Sequence, residues 1–291
     1  MKISKTHDIF TMDQNNEPVA YAESGDTVIF ETCDCFHDTV LSEEDLVSQI
    51  DFSHVNPATG PLYINGAEIG DALKVKIKKI TIAEQGATVT APGLGRLENL
   101  IEHEETVIAK IDDDYVYYKD LTIPLNKMIG VIGTAPAGDG IATGIPDDHG
   151  GNMDTTMIKE GSILYLPVNV EGALLSMGDL HASMGDGEIM GAGMEVQGEV
   201  EVEIEVVKNC NYKLLPLIET DDLWITVASA ESMEDASDQA IKNMVDFLQQ
   251  KTDLTFNQAG MLLSLAGNLR VSQIVNPNKT MRMELNKRYF V

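Results

Sequence analysis

Acidic, imidazole and glycine residues crowd one stretch of this sequence, from Gly178-Asp179-Leu180-His181 through Gly185-Asp186-Gly187-Glu188 to Gly191-Ala192-Gly193. The run just before it, Ala173 to Met177, is apolar and reads as a strand. If that strand continues, Asp179 and His181 lie two residues apart and project from one face. A carboxylate and an imidazole so placed form a two-ligand edge for a divalent metal ion. The glycines that follow permit tight turns, which could return Glu188 to that edge. A solvated pair at a strand end remains the alternative, because Asp-x-His alone is a weak signal.

A second constellation is Asp147-Asp148-His149-Gly150-Gly151-Asn152-Met153-Asp154. Its glycines suit an irregular loop whose polar groups converge on a metal or substrate, or else an exposed turn. A third, Asp34-Cys35-Phe36-His37, follows the strand-like run Thr27 to Asp34. Cys33 and Cys35 share a face there, with Asp34 opposite. Without a second cysteine pair, a reduced structural role is expected for both. His7, His54 and His103 sit in polar surroundings and read as surface residues.

Strands must do most of the positioning. Leu73 to Lys78 and Val200 to Val206 alternate apolar and polar residues, as half-buried antiparallel strands do. Helix signals come late. Ser232 can cap a helix carrying Ala236, Ala240, Ile241, Met244, Val245 and Leu248, and Thr255 to Gln258 is a capping box for a second ending at Gly267. A short helix is expected over Ser42 to Ile50. The predicted fold is mostly β, with a β-rich body over 1–209 that carries the site motifs. An α+β C-terminal part over 210–291 packs on the same unit.

Asp and Glu number 47 against 20 Lys and Arg in 291 residues, a formal net charge of -27. Such a chain repels phosphate backbones and anionic lipid, so nucleic-acid and membrane partners are not expected. Neither a signal-peptide stretch nor a bilayer-spanning apolar run is present, which gives a cytoplasmic expectation. The glycine loop of nucleotide triphosphate enzymes and the Gly-x-Ser-x-Gly elbow of α/β-hydrolases are both missing.

At these residues the sequence resembles the acetamidase/formamidase family. The matching stretches are Ile129 to Pro136, His149 to Asp154, Gly178 to His181 and Gly185 to Glu188. They are flanked by Phe30 to Phe36, Leu164 to Val168, Glu171 to Leu174 and Lys279 to Glu284. The resemblance spans essentially the whole chain. It implies sandwich and barrel-like β elements, hydrolysis of short linear amides to carboxylate and ammonia, and a homo-oligomer.

With no serine or cysteine nucleophile in sight, hydrolysis would need a metal-activated water. The expected ligands to one or two divalent ions, zinc first, are Asp34, His149, Asp179 and His181. Glu188 would be ligand or general base, and Glu188 or His149 would protonate the departing nitrogen. Asn152 and Asp154 would support the ligands or bind substrate. The other readings are a metal-dependent hydrolase of another C–N bond, such as a cyclic imide, and a non-catalytic β protein that binds metal or a small ligand.

Overall fold

Val200, Val202 and Ile204 are fully buried while the glutamates between them stay partly exposed, as their alternation requires. Their strand, Gly198–Val207, pairs antiparallel with Ala72–Ile82, where Leu73, Val75 and Ile77 are equally buried. On the outer face lysines meet glutamates, with Lys74 2.8 Å from Glu205 and Lys78 3.2 Å from Glu201. Exposed pairs of this kind add little stability. The buried face carries the energy, at about 25 cal/mol per Å² of apolar surface removed from water.

The computed structural model describes residues 1–210 and 214–290; 211–213 and 291, in the expected C-terminal part, lie outside the described residues. Nine strands form one sheet. Their order is Lys2–Ile3, Thr27–Thr32, Gly198–Val207, Ala72–Ile82, Ile163–Pro167, Leu217–Glu219, Leu223–Ala230, Lys279–Asn286 and Asn268–Gln273. Strands from the C-terminal part thus extend the sheet begun by the N-terminal body. In an eleven-stranded second sheet, Leu175–His181 pairs on one edge with Met128–Gly133. On its other edge it pairs first with Ala58–Ile64 and then with Glu195–Val196.

Phe30, Ile77 and Val202 of the first sheet share one buried cluster with Leu62, Ile129, Leu175 and Leu180 of the second. The fold is therefore mostly β, two sheets packed face to face. Among the described residues, neither large sheet closes into a barrel.

Two helices cover the C-terminal end of the nine-stranded sheet. In α1, Met233–Lys251, Ser232 caps the first turn by accepting the Asp235 N–H. In α2, Phe256–Ala266, Thr255 and Gln258 form the capping box and Gly267 is the C-cap. Ala240, Met244, Leu248 and Leu263 pack against Leu217, Met283 and Leu285. The expected helix over 42–50 shrinks to a 3-10 turn, Val47–Gln49. The Asp45 carboxylate accepts from the Leu41 and Ser42 N–H groups and closes a turn before a helix can start. Among the described residues, no helix is long and apolar enough to cross a membrane.

Candidate metal centre

The strands Met128–Gly133 and Leu175–His181 are buried along their whole length, and the polar residues they carry meet no solvent. Their register pairs Met128 with His181, Ile129 with Leu180 and Val131 with Gly178, which sets Asp179 across from Gly130. Asp179 has φ 56, so the regular alternation breaks there and its side chain is re-aimed. The two side chains meet as expected, though by this twist rather than by a shared strand face. Gly130 makes the room. A Cβ added to it would lie 2.5 Å from Asp179 Oδ2 and 2.6 Å from Asp154 Oδ1.

Asp154 follows the strand Gly150–Asn152, which borders Met128–Gly133 on its far side. Glu188 comes from the loop after His181. Like Asp179, both hold left-handed backbone, at φ 40 and 47. Each such residue costs about 1–3 kcal/mol and persists only where the surroundings impose it. Glu195 reaches the same place through strand pairing, opposite His181 in the register of Glu195–Val196. Its Oε1 accepts the Gly193 N–H at 2.7 Å. His181 Nε2 lies 3.1 Å from Glu195 Oε2 and 3.4 Å from Asp179 Oδ1.

Ligand atoms of Asp154, His181 and Glu188 lie within 4.8 Å of one another, as do those of Cys35, Asp179 and Glu195. All six residues are buried. Asp154 Oδ1, Asp179 Oδ1, Glu188 Oε2, Glu195 Oε2 and both His181 nitrogens have no aligned hydrogen-bond partner among the described residues. Polar atoms orphaned in this way are rare in native interiors and call for a partner. The donor set, imidazole and carboxylates with one thiol, suits a divalent ion such as zinc.

Electrostatics say the same. Burial, with Asp179 close by, raises Asp154 to about 6, and burial raises Glu195 to about 7. Burial and Asp154 hold Glu188 well above the usual carboxylate range. Burial works to lower His181, but Glu195 and Asp179 outweigh it and the imidazole is raised well above its ordinary value. Four buried carboxylates surround a single imidazole, so the cluster is stable only with protons or a cation to neutralise it.

The hairpin formed by Asn268–Gln273 and Lys279–Asn286 clamps this arrangement. Asn276 donates to Asp154 Oδ2 at 2.8 Å and to the Asn152 carbonyl at 3.1 Å. Arg282 binds both oxygens of Asp186, at 3.0 and 2.7 Å, and through Nε binds Glu284 at 2.8 Å. The Gly187 N–H donates to the Ser272 carbonyl at 2.7 Å. The loop that carries Glu188 is thereby pinned on both sides of Gly187.

Of the residues expected to hold metal, Asp179, His181 and Glu188 converge. Asp154, expected only in support, stands among the ligand atoms. Asp34 takes no place in either group: the strand Thr27–Thr32 ends before it, and its Oδ1 accepts the Phe36 and Asp38 N–H groups to close a turn. Burial raises its carboxyl to about 6. His149 also stands outside both groups. Asn152 is buried, and its Oδ1 has no hydrogen-bond partner among the described residues. Sequence reasoning missed Glu195 and Cys35 as site residues. The available signal was a single glutamate between apolar Met194 and Val196, buried to 1% exposure.

His149 is buried with neither ring nitrogen partnered among the described residues, and burial lowers it to about 4 from 6.5. The unfolded chain therefore binds the extra proton first as pH drops. Stability from this group is complete above pH 6.5 and is lost between pH 6.5 and 4, by about 3 kcal/mol. Urea unfolding across that range should show the wild-type protein losing this amount relative to His149→Gln. Parallel profiles for the two proteins would refute the assignment.

The family model for the acetamidase/formamidase family matches residues 12–143 and 137–290. The chain belongs to this family. A crystal structure of an acetamidase from Bacillus halodurans superposes with a TM-score of 0.97 at 50% identity, covering 100% of this chain and 98% of that one. An acetamidase of Mycolicibacterium smegmatis is 38% identical over 135 residues, 44% of this chain and 32% of the relative. A formamidase of Methylophilus methylotrophus is 40% identical over 86 residues, 29% of this chain and 21% of the relative. The matched stretches thus span a third or less of these two relatives' own length.

Proposed function

We propose that this protein is a metal-dependent hydrolase of the C–N bond of linear amides, releasing carboxylate and ammonia. The observation that carries the reading is the buried convergence of Asp154, His181 and Glu188, with ligand atoms mutually within 4.8 Å and no aligned hydrogen-bond partner among the described residues. These three would hold one divalent ion, zinc first. Cys35, Asp179 and Glu195 offer a second place beside it. An ion there supplies Lewis acidity, polarising the amide carbonyl and bringing the pKa of water down to about 7.

The side chains do the remaining work. Glu188 is among the residues that line a cavity beside the centre, and its carboxyl would take a proton from the attacking water. It returns that proton to the departing nitrogen, which cannot leave as an amide anion. Asp154 is fixed beside Glu188 by Asn276, which donates to its Oδ2. Arg282 holds the Glu188 loop in register through Asp186.

Ammonia release from formamide, acetamide and succinimide tests the reading, with and without chelation followed by zinc, manganese or cobalt. Turnover of an acyclic amide is expected, falling at least about a hundredfold on chelation and returning with the ion. Turnover indifferent to chelation would remove the metal. Turnover of succinimide alone would replace the substrate class with cyclic imides, and no turnover of any amide would remove the hydrolase.

A further inference from the structure

The run 254–269 is the longest in the chain without a charged residue or histidine, in a protein of formal net charge -27. It forms α2 and the start of the last strand of the nine-stranded sheet. We propose that its outer face is a two-fold interface with a second copy of the chain, α2 against α2 and residues 268–270 against their counterparts. The interface is independent of the hydrolase reading.

Ala259 and Leu263 of α2 are buried in the C-terminal core. Met261 and Leu265, one turn apart, stand outside it at 59% and 85% exposure. Leu265 is the most exposed large hydrophobic side chain among the described residues. Phe256 and Leu269, toward the two ends of the run, are exposed as well. Apolar side chains are ordinary on a surface singly, whereas a group of them marks a face that meets a partner.

The sheet ends on the same face. Asn268–Gln273 is its last strand, and no strand lies beyond it among the described residues. The Glu188 loop covers the far half: Gly187 pairs with Gln273, donates to the Ser272 carbonyl and accepts the Ile274 N–H. Residues 268–270 stay exposed. An open edge is a template for another strand, and antiparallel pairing with its own copy closes at two chains. Charge decides the occupant. Two chains of net charge -27 repel one another and approach at least cost where neither carries acid. A cationic partner would be drawn to the acidic faces instead, and a helix that lies on a membrane carries Lys or Arg, which α2 lacks.

Sedimentation velocity over a dilution series of the purified protein, from about 10 μM downward, tests the interface. The wild type should form a dimer, or a larger assembly with an even number of chains. Leu265→Glu enters a two-fold interface twice and should weaken association at least about a hundredfold. Its far-UV circular dichroism should match the wild type, because the side chain it replaces lies outside the core. Leu100→Glu adds the same charge at an exposed position outside the run and should leave association unchanged. Raising NaCl from about 20 to about 300 mM should tighten wild-type association, because screening relieves the repulsion between acidic chains. A monomeric or odd-numbered wild type overturns the interface. So does a dissociation constant unmoved in Leu265→Glu, or weakened equally in Leu100→Glu, or one that loosens with salt. Amide hydrolysis stands or falls separately, on ammonia release.

Discussion

Glu188→Gln lowers kcat for the best amide substrate by about a thousandfold, while the same change raises the Tm of the metal-free protein. The kinetic part follows from the proton transfers assigned to this carboxyl, since general acid–base groups contribute about 10²–10⁴-fold. The stability part follows from burial. Glu188 is 7% exposed, and burial and Asp154 both oppose its charge. Gln keeps the shape and needs no proton, so the metal-free fold gains about 1 kcal/mol, or about 3 °C in Tm. The sign with pH is fixed. A carboxyl raised in the folded state costs stability as pH climbs above its ordinary 4.5, so the advantage of Gln grows with pH. With metal bound the order reverses, because Gln is the poorer ligand. Thermal melts with and without chelator, across pH, separate these cases. Full activity in the variant would remove Glu188 from the chemistry, and a lower metal-free Tm would contradict the electrostatic account.

The same strain explains why the site was only partly legible in the sequence. Strands such as Gly198–Val207 and Ala72–Ile82 declare themselves locally, because one face must be apolar and the period is two. The two C-terminal helices do the same through their caps. Asp179 and His181 were legible as neighbours, but the twist at Asp179 that aims its carboxylate depends on Gly130 across the sheet. Glu195 and Cys35 join the centre through non-local packing, Glu195 by pairing with His181. No spacing in the chain encodes such contacts. Asp34, a carboxylate just after a strand, has the look of a ligand, and one of its oxygens accepts two backbone N–H groups in a turn. Asn276 and Arg282 lie more than 80 residues beyond the loops they hold, where only tertiary structure can place them.

Those placements make the smallest change near the centre among the most damaging. Gly130→Ala adds a single methyl group, apolar and uncharged, to a fully buried strand. Its Cβ would lie 2.5 Å from Asp179 Oδ2 and 2.6 Å from Asp154 Oδ1, closer than real Cβ contacts allow. The obstruction is two carboxylate oxygens belonging to short side chains. Asn276 holds Asp154 from the other side, and Asp179 is fixed by its own φ of 56. Neither can yield without leaving its place in the buried cluster. A shift of about 1 Å in such a group costs about a hundredfold in rate. Gly130→Ala should therefore lose about that much in kcat and retain less metal after gel filtration, with its far-UV circular dichroism unchanged. Gly260→Ala in α2 is the contrast, because a Cβ there meets nothing within 4 Å. It should gain about 0.5–1 kcal/mol from helix propensity with activity intact. If Gly130→Ala held its metal and its rate, Asp154 and Asp179 would not be ligands, and the centre would have to be rebuilt around other donors.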